Sequence, residues 1–162
     1  MTKPGGRQKA QHPKQREQGG FSLLELSITV GIVAIGLTIA LSGYRNFSDR
    51  ADSGDASSDL QIVSTEVERF FTLNGEYPDT LAEVGFVKLD PWGNQYQYFN
   101  IANAVGKGKL RKDKNLVPIN SDFDLYSMGP DGASAAPLTA AASRDDIIRA
   151  SNGAFIGLAS DY

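Results

Sequence analysis

From Leu26 to Tyr44 the chain runs 19 residues without a charge, and Glu25 is the only charged residue between Phe21 and Tyr44. A helix rises about 1.5 Å per residue, so this run is long enough to cross the apolar layer of a bilayer. The flanks set its direction. Lys3, Arg7, Lys9, Lys14 and Arg16 against Glu17 give residues 1–20 a net charge of +4, whereas Arg45 and Arg50 on the far side are diluted by Asp49, Asp52 and Asp55. The positive-inside rule places such an N-terminus in the cytoplasm and the remainder outside it. A secretory signal peptide has the same order of basic and apolar segments. Its apolar core is shorter, about 7–15 residues, and small residues follow it, whereas here Gly19-Gly20 precede the run.

The whole chain carries −3, so removing the +4 leader leaves −7 on residues 21–162, and a chain-wide basic surface for nucleic acid is not expected. Cysteine is absent, which excludes disulfides, thiol catalysis, zinc fingers and iron–sulfur clusters. The single histidine, His12, lies in the polar leader, so a Ser-His-Asp triad or a histidine metal site is nearly excluded. Any metal chemistry would use oxygen ligands. No catalytic residues are expected, and the leader itself has too little to bury to be ordered.

Beyond the apolar run, Ala56, Leu60, Val63, Val67 and Phe70 recur at steps of four and three, one face of a continuing helix, with Asp59, Glu66, Glu68 and Arg69 turned to water. Asn74-Gly75 and then Pro78 end it, while Ser42-Gly43 and Ser53-Gly54 are weak points where it can kink or loosen. Thr80 to Val84 reads as one helical turn capped by Asp79 or Thr80, and Asp90-Pro91 and Gly93-Asn94 as turns around Trp92, the only tryptophan. Gln95–Asn100, Asp124–Met128 and Ala154–Leu158 read as strands. The expected fold is α+β. A long N-terminal helix, membrane-spanning over 21–44 and amphipathic over 45–75, packs against a small antiparallel sheet within 76–162.

Glu25 is costly so far inside an apolar segment unless it is paired or reaches the headgroups. If the chain were cut before Phe21, the new terminal ammonium would lie about one turn from Glu25, within its own chain or on a neighbouring subunit. The stretch Gly20-Phe21-Ser22-Leu23-Leu24-Glu25-Leu26, after a short basic leader and before an unbroken apolar helix, resembles the prepilin motif of type IV pilins and type II secretion pseudopilins. The resemblance implies cleavage between Gly20 and Phe21 by a prepilin peptidase on the cytoplasmic side, N-methylation of Phe21, and a role for Glu25 in docking the incoming subunit. Ser42 stands where many members carry a helix-kinking proline, and Ser42-Gly43 is expected to serve instead.

Two further stretches narrow the resemblance. Leu89-Asp90-Pro91-Trp92-Gly93-Asn94-Gln95-Tyr96-Gln97-Tyr98 is similar to the LDPWGNPYQY stretch of major pseudopilins of type II secretion, and Asp124 to Gly132 resembles their next block. Physically, the first stretch is a turn anchored by a buried tryptophan. The lack of cysteine counts against the common pilins whose C-terminal loop is closed by a disulfide.

Asp131, Asp145 and Asp146 lie close together late in the sequence, the first beside Gly129 and Gly132. Clustered carboxylates repel unless a cation or an arginine sits among them. Read from the residues, either calcium occupies the loop, or Asp145 and Asp146 cap a turn with Arg144 or Arg149 balancing them. The resemblance implies calcium, held by the Met128 carbonyl, Asp131, Ser143, Asp145 and Asp146, in a C-terminal metal-binding loop lengthened here between Gly132 and Ser143. Lys107, Lys109, Arg111, Lys112 and Lys114 form a basic run that reads as a solvated hairpin tip or as a contact for another subunit's acidic surface. Without interleaved aromatics it is a poor nucleic-acid site.

Taken together, the resemblance implies a major pseudopilin of type II secretion, a non-enzymatic subunit that polymerises with itself into a periplasmic filament. It would be anchored once in the bacterial inner membrane and would work with prepilin peptidase, minor pseudopilins and an inner-membrane assembly platform. A pilin or minor pilin of a surface fibre is the alternative.

Overall fold

The computed structural model describes residues 20–106 and 108–162, without the side chains of Ser42, Arg45 and Asn46. The leader up to Gly19, Lys107 of the basic run and those three side chains therefore lie outside the described residues. The chain divides into two compact units, one ending at Ser42 and the other comprising Gly43–Tyr162. Helix α1 (Leu23–Asn74) contributes its first part to one unit and the rest to the other.

In the first unit, Leu23–Leu41 is apolar and long enough to cross a membrane, and none of it is buried by the protein. Its hydroxyls do not spoil that character. Ser27, Thr29 and Thr38 each donate to the carbonyl four residues earlier, at 2.8, 2.7 and 2.9 Å, so their protons are satisfied within the helix.

In the second unit, Ala56, Leu60, Val63 and Val67 are fully buried, as their spacing predicts, and Phe70 is half-buried. They pack with Tyr96, Phe123, Leu125 and Ile147 in the main core. Asp59 departs from expectation. It lies on this same face and is buried, because Lys88 Nζ reaches both carboxylate oxygens at 2.8 and 2.7 Å and the Tyr96 hydroxyl donates to Oδ2 at 2.8 Å. Burial and that bond to Asp59 push the Tyr96 phenol up.

Ser53 and Gly54 remain helical, with the hydroxyls of Ser53, Ser57 and Ser58 donating back to carbonyls four residues earlier, so the loosening expected there is not observed. Ser42 and Gly43 are likewise assigned helical. The helix stops where the sequence indicates: Gly75 turns to φ +79° and its N–H donates to the Phe71 carbonyl at 2.8 Å. The following turn is a short 3-10 helix, Leu81–Val84, with Thr80 as cap and its N–H held by Glu83 Oε1 at 2.9 Å.

Four strands form one antiparallel meander: β1 (Gln97–Asn100), β2 (Phe123–Ser127), β3 (Ile147–Ala150) and β4 (Phe155–Leu158). Tyr98 pairs with Leu125, Ser127 with Ile147, and Ile147 with Leu158. Phe123, Leu125 and Ile147 face the helix, while Ile148 and Ala150 join Ile119, Leu138 and Ala159 in a second core on the opposite face. Strand β3 was not expected from the sequence, since both its faces are covered and its residues show no alternation of polarity.

Arg149 of β3 joins the two layers. It is 1% exposed, with Nε bound to Ser64 Oγ at 2.8 Å, Nη1 and Nη2 to the Asp122 carboxylate at 2.9 and 2.7 Å, and its guanidinium 3.9 Å from the Phe123 ring centre. Glu68 approaches from the helix at 3.3 Å. The arginine thus balances Asp122 and Glu68, not Asp145 and Asp146. Arg149→Leu strands the Asp122 carboxylate and is expected to cost about 3–5 kcal/mol, to be read from urea unfolding of the parent and the variant.

Candidate functional site

The motif at the head of the apolar run begins in non-helical chain. Gly20 and Phe21 precede α1 and are exposed, so the Gly20–Phe21 bond is accessible. A Cβ built at Gly20 meets nothing within 4 Å, so nothing among the described residues requires glycine there. Ser22 caps the helix, its Oγ accepting from the Glu25 N–H at 3.1 Å and its carbonyl from the Leu26 N–H at 3.0 Å. Ser22-Leu23-Leu24-Glu25 has the spacing of a capping box, a signal the sequence reading passed over. The Glu25 carbonyl accepts from Thr29, but among the described residues its carboxylate has no ion pair or hydrogen bond. Its place in the first helical turn lets the helix dipole favour its charge, although no cation among the described residues pairs with it.

The two sequence blocks near the C-terminus prove to be one polar unit. Asp90 is 5% exposed, and its Oδ1 accepts from the N–H groups of Trp92 at 3.1 Å and Asn94 at 2.7 Å, folding the turn around itself. Its Oδ2 accepts from Ser127 Oγ, which in turn accepts from the Gly129 N–H at 3.1 Å. Asn94 Nδ2 closes the ring on the Gly129 carbonyl at 3.3 Å. Trp92 is only half-buried against the main core, so the anchor of the turn is the Asp90 carboxylate more than the indole. Gly129 has φ +65°, and a Cβ on it would come within 2.4 Å of the Asp145 carbonyl oxygen, which fixes glycine at that position.

The five expected calcium ligands are distributed as follows. The Asp131 N–H donates to Asp145 Oδ2 at 3.4 Å, and Asp131 Oδ1 accepts from the Ala133 N–H at 2.8 Å. Met128 is half-buried just before Gly129. The Ser143 hydroxyl is engaged twice with Ala135, accepting from its N–H and donating to its carbonyl, both at 2.8 Å. Asp146 is completely buried, and its Oδ2 is held by Arg111 Nη2 and Ser134 Oγ, both at 2.6 Å. Asp146 Oδ1 and Arg111 Nε are buried without a partner.

Desolvation pushes the Asp146 carboxyl up, against the bonds from Ser134 and Arg111 that draw it down. The structure thus brings Asp131 and Asp145 together and sends Asp146 elsewhere, as adjacent residues entering a strand must diverge. Among the described residues no three carboxylate, histidine or cysteine groups gather as a metal centre. The donor set as folded does not fit one calcium ion held by all five groups.

Arg111 corrects the expectation of a wholly solvated basic tip. It is 3% exposed, while Lys109 and Lys114 are exposed and Lys112 is half-buried. Its N–H donates to Asp124 Oδ2 at 3.0 Å, and Asn120 Nδ2 donates to Oδ1 at 3.0 Å. Burial nevertheless pushes the Asp124 carboxyl up, the two hydrogen bonds pulling the other way. The folded state therefore takes up the proton at higher pH than the unfolded chain does, and the contribution of Asp124 to stability falls as pH rises above 3.8. Asp124→Asn, which lacks this slope, is expected to gain stability relative to the parent between about pH 4 and pH 6, measured by denaturant unfolding at both values.

Residues 15–41 match the family described as the prokaryotic N-terminal methylation motif. The chain is 30% identical over 128 residues to the type IV major pilin protein PilA of Myxococcus xanthus, covering 75% of this chain and 55% of that protein, little more than half its length. It is 26% identical over 142 residues to type II secretion system core protein G of Pseudomonas aeruginosa, covering 74% of this chain and 88% of that one. Core protein G of Vibrio cholerae is 26% identical over 140 residues, covering 74% and 85%. No solved structure matches the chain. The chain thus carries the methylation motif at its head, with one apolar N-terminal helix and a four-stranded antiparallel sheet, and over about three quarters of its length it is similar to a type IV pilin and to type II secretion core proteins G.

Proposed function

We propose that the chain is a structural subunit without enzymatic activity, the major pseudopilin of a type II secretion system. It is cut between Gly20 and Phe21 by prepilin peptidase, methylated at the new N-terminus, and polymerised with itself into a periplasmic filament that drives protein export. The observation that carries this reading is the Glu25 carboxylate, which stands in an exposed apolar helix with no partner among the described residues of its own chain. A charge left bare at the edge of lipid calls for a cation from elsewhere, and the Phe21 ammonium of a neighbouring subunit supplies one.

The open surroundings of Gly20 support recognition by an outside enzyme, because the fold itself has no use for glycine there. The +4 leader against −7 in the remainder supports a single pass through the bacterial inner membrane, N-terminus cytoplasmic and the sheet periplasmic. Minor pseudopilins and an inner-membrane assembly platform complete the expected partners. The 30% identity to PilA favours a second reading, a pilin of a surface fibre, with the same processing and a different machine. Genes for a secretin, an assembly ATPase and further pseudopilins beside this one would favour secretion.

The mature protein is expected to begin at Phe21, read by intact mass, with Gly20→Ala partly tolerated and a bulky residue at 20 leaving precursor in the membrane. Glu25→Ala is expected to leave insertion and cleavage intact and to abolish most filament formation, and Glu25→Lys to do worse by facing two cations together. Wild-type levels of filament and of secreted cargo in Glu25→Ala would refute the intersubunit pairing.

A further inference from the structure

We propose that Arg111 is a built-in cation that closes the C-terminal loop, taking in this chain the structural part that a bound divalent ion would otherwise play. The loop from Met128 to Asp146 carries three carboxylates in its sequence, of which Asp146 is fully buried, and a buried carboxylate needs positive charge beside it for the loop to stay folded. One guanidinium supplies it. Arg111 Nη1 donates to the Ser134 hydroxyl and, at 2.8 Å, to the Ala135 carbonyl, while Nη2 donates to the Asp146 carboxylate at 2.6 Å. A hydroxyl, a carbonyl and a carboxylate are the kinds of oxygen that calcium collects from a protein loop. The face of the guanidinium rests 4.1 Å from the Tyr126 ring centre, which completes its burial.

The arginine is held in place from behind. Its N–H is fixed to Asp124 of β2 and its carbonyl accepts from the Ile119 N–H at 3.1 Å. The next residue, Lys112, joins the loop itself: its N–H donates to the Ala136 carbonyl at 3.0 Å and its carbonyl accepts from the Leu138 N–H at 2.9 Å. The cation therefore arrives on a segment already laced to the loop it closes. Its targets at 134, 135 and 146 are drawn to one point, and Ser134 strengthens that point by donating to the same Asp146 oxygen.

The arrangement requires arginine. A lysine ammonium is a compact charge and cannot span hydroxyl, carbonyl and carboxylate from one planar fork. The guanidinium also accounts for a feature that divides the basic run, since the exposed Lys109 and Lys114 are left to solvent while Arg111 is withdrawn from it.

The test uses the full-length chain in detergent, melted in EDTA and again with millimolar calcium, alongside Arg111→Lys, Arg111→Gln and Asp146→Asn. The parent is expected to melt at the same temperature in both conditions. Both arginine variants should melt about 10 °C or more lower. In Arg111→Lys, the amides of Ala135, Leu138 and Ser143 should exchange hydrogen faster than in the parent, a local readout that a general loss of packing would not confine to this loop. The double variant Arg111→Gln with Asp146→Asn should lose no more than Arg111→Gln alone, because the two side chains act as one unit. If the glutamine variant fails to accumulate, the parent's response to calcium still decides, since it needs no variant. A rise of several degrees with calcium in the parent would overturn the proposal and return the loop to a bound ion, as would an Arg111→Gln protein as stable as the parent. Filament formation enters none of these measurements, so failure here leaves the subunit reading untouched.

Discussion

The apolar side chains of Leu23–Leu41 point away from any protein of their own, and something other than this chain must take them out of water. At about 25 cal/mol per Å² of apolar surface, leaving these side chains in water is costly, and the segment has the length and composition to cross a bilayer. Such a setting also explains the local chemistry of the segment. Hydroxyls that would be expensive in hydrocarbon are turned onto carbonyls of their own helix, and the first turn is capped by Ser22 before the chain enters the apolar stretch. The Glu25 carboxylate of this segment has no partner among the described residues.

The other unit answers a different problem. A four-stranded sheet and a helical face of four aliphatic residues make a modest core, and the layers are tied together by charged groups withdrawn from solvent. Arg149 links helix, β3 and the segment before β2. Asp59 gathers Lys88 and Tyr96, and Asp90 folds one turn and joins it to the end of β2. Each node is worth little beside an apolar replacement of the same shape, yet breaking one leaves a buried charge uncompensated. Such nodes make the arrangement specific more than they make it stable.

What was legible in the sequence follows from this division. The apolar span, the buried stripe from Ala56 to Val67 and the stop at Gly75 obey a local period or a local backbone preference, and they stand as read. Strands β1, β2 and β4 came out to within two residues, each marked by aromatic or branched residues between turn signals. Strand β3 hid because it is covered on both faces and carries an arginine in its middle. Asp59 and Arg111 hid for a different reason: their partners lie 29 and 37 residues away in the one case and 23 to 35 in the other, and no periodicity announces a pairing of that reach. For the same reason the carboxylates of the C-terminal loop looked like one cluster in sequence, although adjacent residues entering a strand point apart.

Two glycines differ in what the described fold asks of them. Gly129 is fixed from within, since a side chain there would drive into the backbone of Asp145 and break the ring that ties the two C-terminal blocks together. Among the described residues nothing places such a constraint on Gly20 or on the Glu25 carboxylate five residues on. Among the described residues the chain's own structure gives no reason for either, although both fall within seven consecutive positions whose Ser22 it does explain as the helix cap. The motif was therefore recognisable from sequence without any structure, because its residues lie in one contiguous run. The polar nodes of the sheet unit could be found only once the chain was folded.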